Sequence, residues 1–164
     1  MVLSILLYGS ESWVLHKKHM RALESFHQRC LRRILKIRWF HHITNEVLDR
    51  ARLTNLQAIL QRTQLRWAGH VVRMPEHRLP KAAMFGELAS GHRIRGAPRK
   101  TYRAQLKKTI RTCNLNMHHW THDAADRGKW RNLIFKATIL ADTRKRNSET
   151  NKRLQRKTLN LPTP

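Results

Sequence analysis

Apolar residues return every three or four positions along most of this chain, and that spacing predicts helices. Between residues 14 and 38, Met20, Leu23, His27, Cys30, Ile34 and Ile37 step by three and four. Phe26 and Leu31 widen them into the stripe of an amphipathic helix. The other faces carry Lys17, Lys18, Arg21, Arg29, Arg32, Arg33 and Lys36 against a single acid, Glu24. Trp39-Phe40-His41-His42 ends the pattern, and Thr44 is a candidate N-cap for a short helix holding Val47 and Leu48. Thr54 and Gln57 have the spacing of a capping box, placed just before Leu56, Ile59, Leu60, Trp67 and Val71. Pro75 closes that helix near Met74.

Pro75, Pro80, Gly86, Gly91, Gly96 and Pro98 punctuate residues 75 to 100 and predict mostly loop. Pro80 suits the first position of a short helix through Leu88. Thr101 to Cys113 reads as a further helix with Tyr102, Leu106, Ile110 and Cys113 on one face and Asn114 as its stop. A last helix is expected from His118 to Leu140, carrying Trp120, Ala124, Trp130, Ile134 and Phe135. From Ala141 onward the chain is polar and basic, with Leu154, Leu159 and Leu161 as its large apolar residues. That composition predicts a mobile, disordered tail or a frayed helix. No strand-like alternation persists and no internal repeat occurs, so the expected fold is all-α, a small domain of about four to five helices. The expected units are an apolar segment 1–13 cut from a larger core or docked on this one, a helical subdomain 14–74, a basic loop 75–100, C-terminal helices 101–140 and the tail 141–164.

Charge changes the picture more than length does. The 164 residues suit one domain, but 34 Lys+Arg stand against 10 Asp+Glu, a formal charge of +24. At 40% hydrophobic and 27% charged, this is not the composition of a fully disordered chain. Uncompensated repulsion of that size points to a polyanionic partner, RNA or DNA first, with an anionic membrane surface or an acidic protein as alternatives. The two cysteines, Cys30 and Cys113, argue against a disulfide framework and fit a reducing compartment. No apolar run approaches the roughly 20 residues of a membrane-spanning helix. The apolar start, Met1 to Tyr8, lacks a basic n-region and runs into Gly9-Ser10-Glu11, unlike a signal peptide. The expected location is therefore intracellular, nuclear or cytoplasmic, without secretion and without a membrane partner.

The basic loop carries the clearest partner signal. Between Leu88 and His122 there is no acid, while Arg93, Arg95, Arg99, Lys100, Arg103, Lys107, Lys108 and Arg111 supply cations. Glycines 91 and 96 keep the backbone open, so guanidinium forks can follow a phosphate chain, where they bind bidentately. Arg66, His70 and Arg73 follow as contact candidates, because their spacing puts them on overlapping faces of one helix. Of the tryptophans, Trp67 and Trp130 lie on apolar stripes and read as core. Trp39 and Phe40 beside His41-His42 are the better base-stacking candidates.

His118, His119, His122, Asp123 and Asp126 form the one cluster resembling a metal site. A closed zinc site needs four ligands, and Cys113 has no paired cysteine, so no metal is assigned. Asp126 beside Arg127 reads as a local ion pair or helix-start charge. The sequence has no Ser/His/acid order of a hydrolase, no phosphate-cradling glycine loop and no adjacent aspartate pair for two magnesium ions. No active site, no cofactor and no small-molecule substrate are expected; oligomeric state is left open.

Four stretches, in order and with similar spacing, resemble the C-terminal part of non-LTR retrotransposon (LINE-type) endonuclease–reverse transcriptases. They are Leu6-Leu7-Tyr8-Gly9-Ser10-Glu11-Ser12-Trp13, Leu65-Arg66-Trp67-Ala68-Gly69-His70-Val71-Val72-Arg73-Met74, Arg95-Gly96-Ala97-Pro98-Arg99-Lys100 and Asp126-Arg127-Gly128-Lys129-Trp130-Arg131. The resemblance spans residues 3 to 134 and implies the thumb and the basic helical region downstream of the polymerase palm. In such an enzyme this part would help hold template RNA and target DNA. The Tyr-x-Asp-Asp palm motif and the endonuclease are not in this chain. It departs from the family at Tyr102, where a Trp is expected, and at Ala104 and Thr109, where members often carry acids; Thr44-Asn45-Glu46-Val47 is one acid short. The resemblance implies a non-catalytic fragment that binds RNA or DNA without sequence preference. A decayed transposon reading frame without selected function, and a protein-interaction module using the 14–38 face, stay open as alternatives.

Overall fold

A computed structural model describes residues 2–41, 54–86, 96 and 101–159. Among them are seven α-helices and two short 3-10 turns, Ser10–Ser12 and Trp39–His41, and no strand. The helices are α1 (Val2–Leu6), α2 (Lys17–Ile34), α3 (Leu56–Val72), α4 (Leu79–Phe85), α5 (Tyr102–Thr112), α6 (Trp120–Ala125) and α7 (Arg127–Leu159). The fold is all-α, and the expected four to five helices become seven chiefly because short α1 forms and the last predicted helix is two.

Helix α3 is the hub, packing against α2, α4, α5, α6, α7 and the Ser10–Ser12 turn. It can do so because it is buried on more than one side: Leu56, Leu60, Leu65, Ala68 and Val71 are inside, and so are Gln61, Gln64 and Gly69. Around it the core gathers Met84, Leu106, Ile110, Cys113, Trp120, Ala124, Trp130, Ile134 and Ala137. Among the described residues no helix is long and apolar enough to cross a membrane.

Each helix boundary has a local chemical cause. Asn55, not Thr54, caps α3: its Oδ1 accepts from the Gln57 N–H at 3.0 Å. Thr54 stands one residue too early for that reach, and the Gln57 side-chain oxygen instead accepts from Lys145 at 2.8 Å, so no capping box forms. Thr101 caps α5 as expected, its Oγ1 accepting from the Ala104 N–H. Asn114 (φ 56°) stops α5 in the left-handed region, with the Leu115 N–H donating back to the Ile110 carbonyl. Lys36 (φ 53°) ends α2 in the same way, with Ile37 N–H donating to Arg32. Helix α2 therefore finishes at Ile34 rather than residue 38, and Ile37 leaves the stripe.

The α2 stripe is also narrower than its periodicity predicts. His27 and Leu31 are buried, Met20, Leu23 and Cys30 half-buried, and Phe26 and Ile34 exposed. His27 serves there as an apolar group, and its burial lowers its pKa from 6.5.

Pro80 stands in the first turn of α4, but that helix ends at Phe85. Leu88, the Thr44 helix with Val47 and Leu48, and the loop cations Arg93, Arg95, Arg99 and Lys100 lie outside the described residues.

The region expected as one helix ending at Leu140 behaves differently at both ends. Asp126 breaks it: its Oδ1 accepts from the Gly128 and Lys129 N–H groups at 2.8 and 3.0 Å, starting α7 afresh. The tail, expected to be either disordered or a frayed helix, is helical through Leu159. Ala141 is buried, Lys145 reaches Glu24 at 3.3 Å on α2, and Arg146 pairs with Asp142 at 3.1 Å. Lys, Arg, Gln and Leu are strong helix formers, and a helix already nucleated in the core propagates through them at little cost.

Candidate nucleic-acid interface

The spacing of residues along a helix face matters here at one junction, where α3 meets the start of α7. Leu65, Gly69 and Arg73 recur every four residues and line one side of α3. Trp130, 2% exposed, lays its indole against Gly69, and its Nε1–H donates to the Leu65 carbonyl at 3.0 Å. A Cβ on residue 69 would stand 2.2 Å from that nitrogen, so this approach needs glycine. One turn further on, the Arg73 guanidinium donates to the Ala124 carbonyl near the end of α6. It thereby satisfies a helix-end acceptor and fixes its own position.

This junction sets two rows of cations beside each other. Arg66 and His70 stand exposed on α3, and Arg127 and Arg131 stand exposed on α7, each pair four residues apart. With Arg73 they line an open cleft of about 430 Å³, whose single acid among the described residues is Glu11. Trp67 lies in the same wall, half-buried and 5.4 Å from the His70 ring at a tilt of 50°. Its stripe predicted core; the structure gives it one face in the core and one in the cleft. Four guanidiniums around one concavity attract an anion that is extended and multiply charged, and each offers a planar fork that fits a phosphate.

Of the predicted contact residues, Arg66, His70 and Arg73 come together in this cleft. Arg103, Lys107 and Lys108 are exposed on α5, away from it; Lys108 lines a different cleft with Lys17 and Arg21. The fold adds Arg127 and Arg131, which sequence reasoning left aside as neighbours of Asp126. The available signal was their four-residue spacing within the Asp126–Arg131 stretch. The pairing itself depends on Trp130 docking at Gly69.

Other candidates resolve into structural roles. Trp120 stacks on Phe85 with centroids 6.2 Å apart, and Trp130 is core. Phe40 is exposed with His41 edge-on at 4.6 Å, while the Trp39 side chain and His42 are outside what is described. His118 and His119 precede α6, so His118 and His122 do not share a helical face. Asp123 pairs with Lys129 at 3.7 Å, and Asp126 is the α7 cap. Backbone donation from Lys129 and Gly128 lowers the Asp126 pKa below 3.8. Among the described residues, no group of three or more His, Cys, Asp or Glu is placed to hold a metal ion. Comparison of the chain with protein-family models, curated proteins and solved structures finds no match in any of the three.

Proposed function

We propose that this protein binds RNA or DNA through the phosphate backbone, without reading sequence, as the downstream helical region of a LINE-type reverse transcriptase. The observation that carries this is the arginine cleft: Arg66, Arg73, Arg127 and Arg131, with His70, converge from two helices on one concavity. A formal charge of +24 gives that cleft a long-range field of the right sign. The residues that form the junction, Leu65, Gly69 and Trp130, belong to the same two stretches that carry the family resemblance. The proposed role is binding, which is what the resemblance implies for these stretches.

If each guanidinium of the cleft neutralises one phosphate, the cleft contributes about −3 to −4 to the slope of log K against log salt on duplex DNA. The remaining basic surface, Arg103, Lys107 and Lys108 included, steepens it further. Fluorescence anisotropy with generic RNA and duplex DNA across a salt series tests this. Submicromolar binding with a steep slope supports it; no binding at about 50 mM salt, where phosphate contacts are strongest, refutes it.

A further inference from the structure

The basic surface does not end at the arginine cleft. One turn nearer the start of α3, half-buried Arg62 stands outside the cleft lining and is held in two ways. Its Nε–H donates to Thr138 Oγ1 at 3.2 Å, and its guanidinium carbon lies 4.7 Å from the centroid of the Phe135 ring. Thr138 is fully buried and its hydroxyl donates to the Ile134 carbonyl at 2.8 Å, so the anchor is itself fixed. The Nε bond leaves the N–H groups of the two terminal guanidinium nitrogens for another acceptor. Among the described residues no acid pairs with Arg62, Arg66, Arg127 or Arg131.

Helices α3 and α7 run antiparallel here, since Leu65 meets Trp130 and Arg62 meets Phe135. From the Arg62–Phe135 contact, four residues along each helix in opposite directions lead to Arg66 and Arg131, and four more lead to His70 and Arg127. Each step advances about 6 Å, so the two helices form a ladder of three rungs spanning about 12 Å. Its last rung carries an aromatic ring as well as a cation, and that ring is 51% exposed.

An exposed aromatic ring beside a row of phosphate binders has nothing to grip on a duplex, whose base faces are stacked inside. An unpaired strand offers both groups at once, phosphates to the guanidiniums and base faces to the ring. A basic track with an aromatic platform is the arrangement by which proteins hold single strands, because every base has a π-face. Arg62 serves both parts: its free fork fits a phosphate, and its stacking on Phe135 holds cation and ring together.

We propose that this ladder seats an unpaired strand of RNA or DNA, its phosphates on Arg127, Arg131, Arg66 and Arg62 and one base against the Phe135 ring. The proposal rests on the phosphate-binding reading of the cleft and adds that the bound strand is single.

The full chain is titrated, by fluorescence anisotropy at fixed low salt, with a labelled single strand of about 12 nucleotides and with an abasic strand of equal length and charge. The strand with bases is expected to bind about tenfold more tightly, the worth of one base stacked on an aromatic side chain. Phe135→Leu removes most of that advantage. Arg62→Gln lowers the single-strand salt slope by about 0.7, the share of one phosphate. Melting by circular dichroism checks that both variants fold. Equal affinity for the two strands, or an advantage that survives Phe135→Leu, overturns the base contact. A salt slope unchanged by Arg62→Gln overturns the Arg62 rung. Absence of binding to either strand and to duplex at about 50 mM salt refutes the phosphate reading itself, a result distinct from equal binding of the two strands.

Discussion

Replacing Gly69 by alanine sets helix propensity against packing, and the two predict opposite signs. In an exposed helix interior the change stabilises by about 1 kcal/mol, because glycine loses more backbone freedom on folding. At this position the new Cβ would lie 2.2 Å from Trp130 Nε1 and 2.4 Å from its Cδ1. Trp130 is 2% exposed and cannot swing into solvent. Overpacking of this kind costs about 1–3 kcal/mol. Pushing the indole aside also breaks its bond to the Leu65 carbonyl, leaving a buried donor unpaired at a further cost of about 1–3 kcal/mol. The middle of these ranges leaves about 3 kcal/mol net destabilisation. For a chain of this size that lowers the melting temperature by about 6–12 °C. Thermal and urea unfolding followed by circular dichroism measure it. In a Trp130→Phe background, where the Nε1 donor is already gone, Gly69→Ala costs at least about 1 kcal/mol less. A Gly69→Ala protein that melts at or above the unsubstituted one refutes the junction as described.

Arg66→Gln and Arg131→Gln, at exposed positions, each reduce the duplex salt slope by about 1 without moving the melting temperature. Arg73→Gln weakens binding and also destabilises by about 1 kcal/mol, since the Ala124 carbonyl loses its donor; identical melting of all three variants contradicts that assignment. Burial pushes the Cys113 thiol up to about 11, so with Ellman's reagent near neutral pH half-buried Cys30 reacts in the native protein and Cys113 only after denaturation. Equal native rates for the two thiols would count against the core placement of Cys113. The Asp126 carboxylate is held below 3.8 by donation from the Lys129 and Gly128 N–H groups. Its stabilising effect is therefore present above that value and lost as pH falls through the lower folded value. Accordingly, Asp126→Asn melts below the unsubstituted protein at neutral pH, and the gap closes below pH 3.8; a gap constant with pH excludes the carboxylate as its source.

The helices themselves were legible wherever their signals are local. Thr101 and Asn114 mark the ends of α5 in sequence and in space, and the apolar spacing of Leu106, Ile110 and Cys113 names its buried face. Errors cluster where two local signals compete. Thr54 and Asn55 are both good caps, and the one adjacent to the first helical residue has the reach. Asp126 reads equally as a helix residue or as a cap, and its two backbone acceptances settle it as a cap. The basic stretch after Ala141 has disorder-like composition yet strong helix formers, and its anchoring to Glu24 and Gln57 through Lys145 spans more than 80 residues of chain.

Periodicity, capping residues and charge thus establish an all-α, strongly basic chain and place Arg66, His70 and Arg73 together, because those relations hold within one helix. They do not say which helix faces meet. That depends on whether a given surface has room for a given side chain, and the gap at Gly69 that admits Trp130 lies 61 positions away from it along the chain. The Trp130 contact brings Arg127 and Arg131 to Arg66. Pattern along a helix reports what is apolar or charged; complementarity between helices determines which charges end up side by side.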